Sequence, residues 1–310
     1  MLGVLQGFTV IGVIVLVGAI IGRTGWLGST GQQGLTKLAF YVATPALMFQ
    51  LLSEARLEIL FSHQFTVTAI AMTCMAAVYG VIAGFRKWGL GASAVGAMAS
   101  SYVNTGNLGI PIAVYVLGDA TLVAPVTLLQ QLIVTPVMMA LLDIGSRSAD
   151  APRLRFHDYL LRPFRNPIVI GSLSGLALSA LRIEVPDFIM DPIGLIGGMS
   201  VPAVLLAFGM SMRNNSVPLR GPERGQVLTA TILKSIVHPV AAWALAVFAF
   251  GITGQTLLAV VVTAALPAAQ NIFTYSSQFG VGERLARESI LLTTLLSVPA
   301  VFAATLLVHP

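Results

Sequence analysis

The chain has 310 residues, 56% of them hydrophobic and 9% charged, with a mean hydropathy of +0.88. A soluble domain carries about 25% charged residues, so a water-soluble enzyme is excluded and lipid must be the solvent for most of the surface. The formal net charge is +5, but the basic residues sit in short gaps between apolar runs, which reads as membrane orientation rather than affinity for nucleic acid.

The length suits about ten spans of ~20 residues. The first apolar run, 4–22, ends in Gly22-Arg23 instead of a small-residue cleavage site, and it reads as a retained span. The next runs are 35–53, 64–85, 91–117 and 121–143. The single cysteine, Cys74, lies in the third and is expected to be a packed interior thiol. A polar, basic stretch, 144–165, follows. The second series is 166–182, 191–212, 226–250, 255–279 and 286–308. The expected fold class is therefore an all-α integral membrane protein with ten transmembrane helices. Its first five-helix unit is 1–143, its linker 144–165 and its second unit 166–310.

Charge tests the orientation. With the N-terminus outside, 14 of the 17 basic residues fall in cytoplasmic loops: Arg23, Lys37, Arg86, Lys87, five arginines between 147 and 165, Arg213, Arg220, Arg224, Arg284 and Arg287. Only Arg56 and Arg182 fall in outer loops, with most of the loop acids. This asymmetry predicts both termini outside and a cytoplasmic linker. The last basic residue, Lys234, stands about 12 Å into the eighth span at 1.5 Å per residue.

The two series resemble each other. Thr44-Pro45-Ala46 in the second span parallels Val201-Pro202-Ala203 in the seventh, 157 residues on. Thr135-Pro136 in the fifth parallels Val298-Pro299 in the tenth, 163 residues on. A unit of five spans crosses an odd number of times, so its second copy must be inverted. Inverted repeats mark secondary transporters.

The chemistry concentrates in two segments. The fourth span contains Asn104-Thr105-Gly106-Asn107-Leu108-Gly109-Ile110-Pro111. Pro111 cannot donate a backbone hydrogen bond and the glycines loosen the helix. The amides of Asn104 and Asn107 can satisfy freed backbone groups and still face a substrate. In the ninth span Pro267 is followed by Gln270-Asn271, and Asn271 lies 164 residues after Asn107. Interrupted helices at corresponding positions of two halves point to a transport site. Their half-helix N-termini favour an anion. Lys234 reads either as a fixed charge at that site or as a side chain that snorkels to the interface. His238, one turn on, and Gln131 in the fifth span are secondary candidates beside Gln130 and Thr135. His63, His157 and His309 lie in loops or at the terminus. No acidic residue stands inside the membrane to couple sodium or protons.

No metal-ligand spacing, nucleophile elbow, phosphate loop or dinucleotide motif appears. The expectation is a carrier without cofactor or metal that ATP does not drive directly. A membrane sensor is the reading from another class; it would more naturally bring an output domain.

These residues resemble a known family. The segment Asn104–Pro111, the Thr44-Pro45-Ala46 motif, Lys234 with His238-Pro239, and Pro267 with Asn271 are together similar to the auxin efflux carrier family, along essentially the whole chain. That family includes plant PIN-type carriers and bacterial permeases for malonate and other small organic acids. The resemblance implies a 5+5 inverted repeat like that of bile acid sodium symporters, with spans 4 and 9 crossing as broken helices. Spans 1, 2, 6 and 7 would form a scaffold, with a homodimer made through it. Spans 3–5 and 8–10 would form a core that moves like an elevator. The short linker departs from the plant carriers, which favours a bacterial inner-membrane carrier of small organic anions over an auxin carrier. A sodium-coupled bile-acid-type symporter is the alternative on the same architecture.

Overall fold

The computed structural model describes residues 2–28, 30–54, 62–109, 112–113, 117, 120–146, 167–212 and 218–308. Among them the protein is helical throughout, apart from one isolated antiparallel bridge between Val103 and Ala268. The helices are α1 (Leu2–Thr24), α2 (Gly31–Ser53), α3 (His63–Phe85), α4 (Leu90–Ser101), α5 (124–145), α6 (Pro167–Leu181), α7 (Asp187–Ser211), α8 (Arg224–Ala249), α9 (Gly254–Ala265), α10 (Asn271–Phe279) and α11 (Glu283–Val308). Five of these, α2, α3, α7, α8 and α11, are long and apolar enough to cross a membrane, and shorter apolar helices accompany them.

Proline shapes several helices. In α2, α5 and α8 the chain widens into a π-turn, Ala39–Ala43, Gln130–Val134 and Leu233–Val237, immediately before Thr44-Pro45, Thr135-Pro136 and His238-Pro239. Proline has no N–H to give and its ring crowds the carbonyl four residues back. Widening the preceding turn relieves both faults without breaking the helix.

Two packing groups are evident. α1 lies along α7 and α2 lies along α6. The contacts are close because the interfaces carry glycine: a Cβ at Gly171 or Gly175 would strike the backbone of Pro45 or Phe49. Small residues at four-residue spacing let helix backbones meet in this way. Thr44 and Ser200, one in each series, meet hydroxyl to hydroxyl at 2.7 Å. The second group packs α4 against α3, α5, α8 and α11 around buried Tyr79, Met98, Tyr102, Phe273 and Ile290. Cys74 departs from expectation. It is exposed on α3, on the face opposite the one that packs inward.

Polar contacts join described residues at two ends. At one end Gln32 donates to Glu283 at 3.2 Å, and Arg287 donates to the Ser211 carbonyl at 3.1 Å. At the other, Gln64 and Gln255 donate to the carbonyls of Leu122 and Leu117, each at 2.6 Å.

Candidate functional site

The fourth and ninth apolar runs are each interrupted, and the interruptions meet. α4 ends at Ser101, and Tyr102 turns extended at φ −77°, ψ 121°. α9 ends at Ala265, and Leu266 is extended at φ −58°, ψ 150°. Leu266 precedes Pro267, whose ring disfavours the helical region for its neighbour. The two extended segments lie antiparallel, with Val103 opposite Ala268. The amide of Asn104 donates to the carbonyl of Pro267 at 2.9 Å. Backbone groups freed by one break are thus satisfied by the other, as an apolar interior requires.

Side chains complete the junction. Asn104 Nδ2 donates to Gln270 Oε1 at 2.7 Å, tying the two segments together. Both residues are buried. Gln130 of α5 brackets Val103: its Oε1 accepts from the Val103 amide at 2.6 Å, and its Nε2 donates to the Val103 carbonyl at 3.0 Å. The same Nε2 reaches Thr105 Oγ1 at 3.4 Å. On the other side Thr293 Oγ1, from α11, accepts from the Ala268 amide at 3.2 Å. Gln130 and Thr293 are fully buried. Beyond the breaks the chain resumes as the π-turn Thr105–Gly109 and as α10, which begins at Asn271.

Lys234 lies beside this junction. It sits in the π-turn of α8 with no exposed surface. Its Nζ donates to the carbonyl of Ala264 at 2.7 Å and meets His238 Nδ1 at 3.1 Å. Ala264 belongs to the last turn of α9, where carbonyls lack helical partners and the helix dipole is negative. A cation at that end is favourable, and the amine is held there instead of reaching the interface.

Of the residues expected at the site, the structure brings Asn104, Thr105, Pro267 and Gln270 together and places Lys234 and His238 against the last turn of α9. Asn271 opens α10, half-buried. Gly106 and Asn107 fall in the π-turn, but their side chains lie outside the described residues, as do Pro111 and the side chain of Gln131. Gln130, a polar residue named beside the secondary candidates, is the glutamine that holds the break. Thr293 went unnoticed, although it lies 163 residues after Gln130, the same interval that separates the Pro136 and Pro299 pair. An acid was also missed. Glu288 is buried in the second turn of α11, where it accepts from Arg284 Nε at 2.7 Å and from the Leu219 amide at 2.9 Å. Among the described residues no group of three or more His, Cys, Asp or Glu side chains could hold a metal.

A family model described as membrane transport protein matches residues 8–304. The chain belongs to that family. This transporter is 27% identical over 292 residues to a protein of Rhizobium meliloti (strain 1021) named as a proposed malonate transporter, covering 89% of this chain and 84% of that one. It is 24% identical over 144 residues to a probable auxin efflux carrier component 5b of Oryza sativa subsp. japonica, covering 45% of this chain and 38% of that one. The family and its relatives make the protein a multi-pass membrane transporter of a small molecule, not an enzyme.

Proposed function

We propose that this transporter is a secondary carrier of small carboxylates, with malonate as the first candidate, in a bacterial inner membrane. The observation that carries the reading is the junction of two broken helices locked by the Asn104–Gln270 amide pair. Uncharged amides and two helix starts give an anion donors without a competing carboxylate. The relative named for malonate supports the substrate class. The substrate would bind Asn104, Thr105, Gly106, Asn107, Gln270 and Asn271, with Pro111 and Pro267 setting the breaks. Lys234, already bonded to Ala264 and His238, contributes positive potential from behind.

On this reading the architecture is ten spans in a 5+5 inverted repeat. The Thr44–Ser200 contact and the paired roles of Gln130 and Thr293 support it. The α1, α2, α6 and α7 group is the scaffold, through which two copies pair. The other helices form a core that moves like an elevator, and both termini face outward.

The test is uptake of radiolabelled malonate into proteoliposomes. Wild-type protein is expected to accumulate it. Asn107→Ala and Asn271→Ala are expected to abolish uptake while remaining folded in the membrane. Wild-type uptake by both variants would sink the site. Replacing sodium by choline is expected to change nothing, and a strict sodium requirement would select the sodium-symporter reading instead.

A further inference from the structure

Lys234 and His238 form a pair of buried bases for which the proposed carboxylate site has no direct use. Their relative solvent exposures are 0% and 2%. Burying a charge in a membrane interior is costly, and ionisable side chains kept there are commonly proton relays.

We propose that Lys234 and His238 are a proton-exchange site that couples proton movement to substrate movement. The Ala264 carbonyl can only accept, so Lys234 Nζ donates to it in either protonation state. The contact to His238 Nδ1 can then be satisfied in two ways. An ammonium donates to Nδ1, with the imidazole neutral and its proton on Nε2. Alternatively, the imidazole carries its proton on Nδ1 and donates to the lone pair of a neutral amine. The two arrangements differ by one proton, and neither leaves the contact unmade. The pair can therefore gain or lose a proton without stranding a buried donor or acceptor.

Space for a proton carrier adjoins the imidazole. A cavity of about 10 Å³, lined by His238, Thr68, Thr263, Ala264 and Val103 among others, lies between α3, α8, α9 and the α4 break. That is room for about one water. Val103 is the residue bracketed by Gln130 at the junction, so the cavity touches the element expected to respond to substrate.

The neighbouring titratable groups are engaged elsewhere. On α3, His63 stacks near Phe250, the Tyr79 hydroxyl reaches the Gln226 carbonyl at 3.5 Å, and Cys74 faces outward. On α11, Glu283 binds Gln32 and Ser277, Arg284 and Glu288 bind each other, and Arg287 binds the Ser211 carbonyl. Neither α4 nor α9 carries a titratable side chain. Arg224 stands ten residues from Lys234, at the start of α8. Among the described residues no carboxylate neutralises the pair, so the bound proton itself sets its charge. A proton on the pair adds positive potential beside the anion site, so anion and proton travel in the same direction. Only O–H and N–H bonds change: a protonated water in the cavity gives up one O–H bond as one N–H bond forms on the pair, and the reverse transfer releases the proton again.

The inference rests on the proposed anion site, and two measurements separate their failures. The first needs no substrate. The chain has four histidines, so 15N-labelled imidazole spectra can be assigned by difference against His238→Gln. The His238 signals are expected to change tautomer as pH is varied across the range in which the protein stays folded; pH-invariant signals would overturn the proton site. The second measures malonate uptake with and without an inward proton gradient, with a pH dye inside the vesicles. Wild-type uptake is expected to be stimulated severalfold and to acidify the lumen, whereas His238→Gln and Lys234→Met lose the stimulation. Equal wild-type uptake with and without the gradient, at constant internal pH, would also overturn the proposal. Absence of any wild-type malonate uptake, alongside a titrating His238, would sink the malonate reading and leave the proton site standing.

Discussion

Asn104 and Gln270 join two broken helices with one hydrogen bond of 2.7 Å. An ion pair could hold the same junction, but its carboxylate would repel an anionic substrate and its burial would carry a desolvation cost. Two amides avoid both penalties, and an amide side chain is a donor as well as an acceptor. Two substitutions separate structure from chemistry here. Gln270→Ala removes the acceptor for Asn104 Nδ2, at a cost of about 1–3 kcal/mol for a buried group that loses its partner. A lower melting temperature with weakened malonate protection is the expected result. Asn104→Asp keeps the shape and places a negative charge at the junction. Malonate uptake is expected to fall about tenfold or more while the protein still inserts; unchanged uptake would place the anion elsewhere. The sequence reading foresaw the polar identity of these residues, because amides in an apolar run are conspicuous. It could not foresee that Asn104 pairs with Gln270, since that contact joins positions 166 residues apart.

At the scale of the elements, each break depends on a helix that is itself intact. Gln130 of α5 holds the amide and carbonyl of Val103, and Thr293 of α11 holds the amide of Ala268. Gln130→Leu and Thr293→Val are each expected to leave a buried backbone group without its partner, again about 1–3 kcal/mol. Thermal unfolding in detergent checks this: a Thr293→Val protein as stable as wild type would show that another group satisfies the Ala268 amide. That Gln130 holds the break was illegible for a definite reason. The π-turn Gln130–Val134 inserts a residue into the helical repeat, so a 3.6-residue reading of which side chains face inward loses its phase there. Hydropathy was equally blind to Glu288. The residue stands near a helix start that looks like an interface, and only the fold brings Leu219 over it. Cys74 shows the opposite error. A residue within an apolar run reads as interior, yet in lipid an apolar helix face can point outward at no cost.

At the scale of the whole molecule, polar contacts fasten the two packing groups together at one end. Gln32 of α2 donates to Glu283 of α11 at 3.2 Å, Gln278 of α10 donates to the Tyr41 hydroxyl at 2.7 Å, and Arg287 of α11 reaches the Ser211 carbonyl of α7 at 3.1 Å. Phe40 adds edge-to-face contacts with Tyr275 and Phe279. Helices α2 and α7 belong to the proposed scaffold, and α10 and α11 to the proposed core. An elevator motion must break these contacts in every cycle, and all of them are individually weak enough to be broken and remade. Tethering one of them should therefore stop transport without touching the Asn104–Gln270 junction. Gln32→Cys with Glu283→Cys, placed in a Cys74→Ala background to remove the single native thiol, and joined by a short bis-maleimide, is expected to arrest malonate uptake. Each single-cysteine control, treated in the same way, should retain it. Ligand protection against thermal unfolding should survive the tether, because Asn104 and Gln270 are untouched. Full transport by the tethered protein would mean that α2 and α11 do not separate, and the moving boundary would have to be sought between other helices.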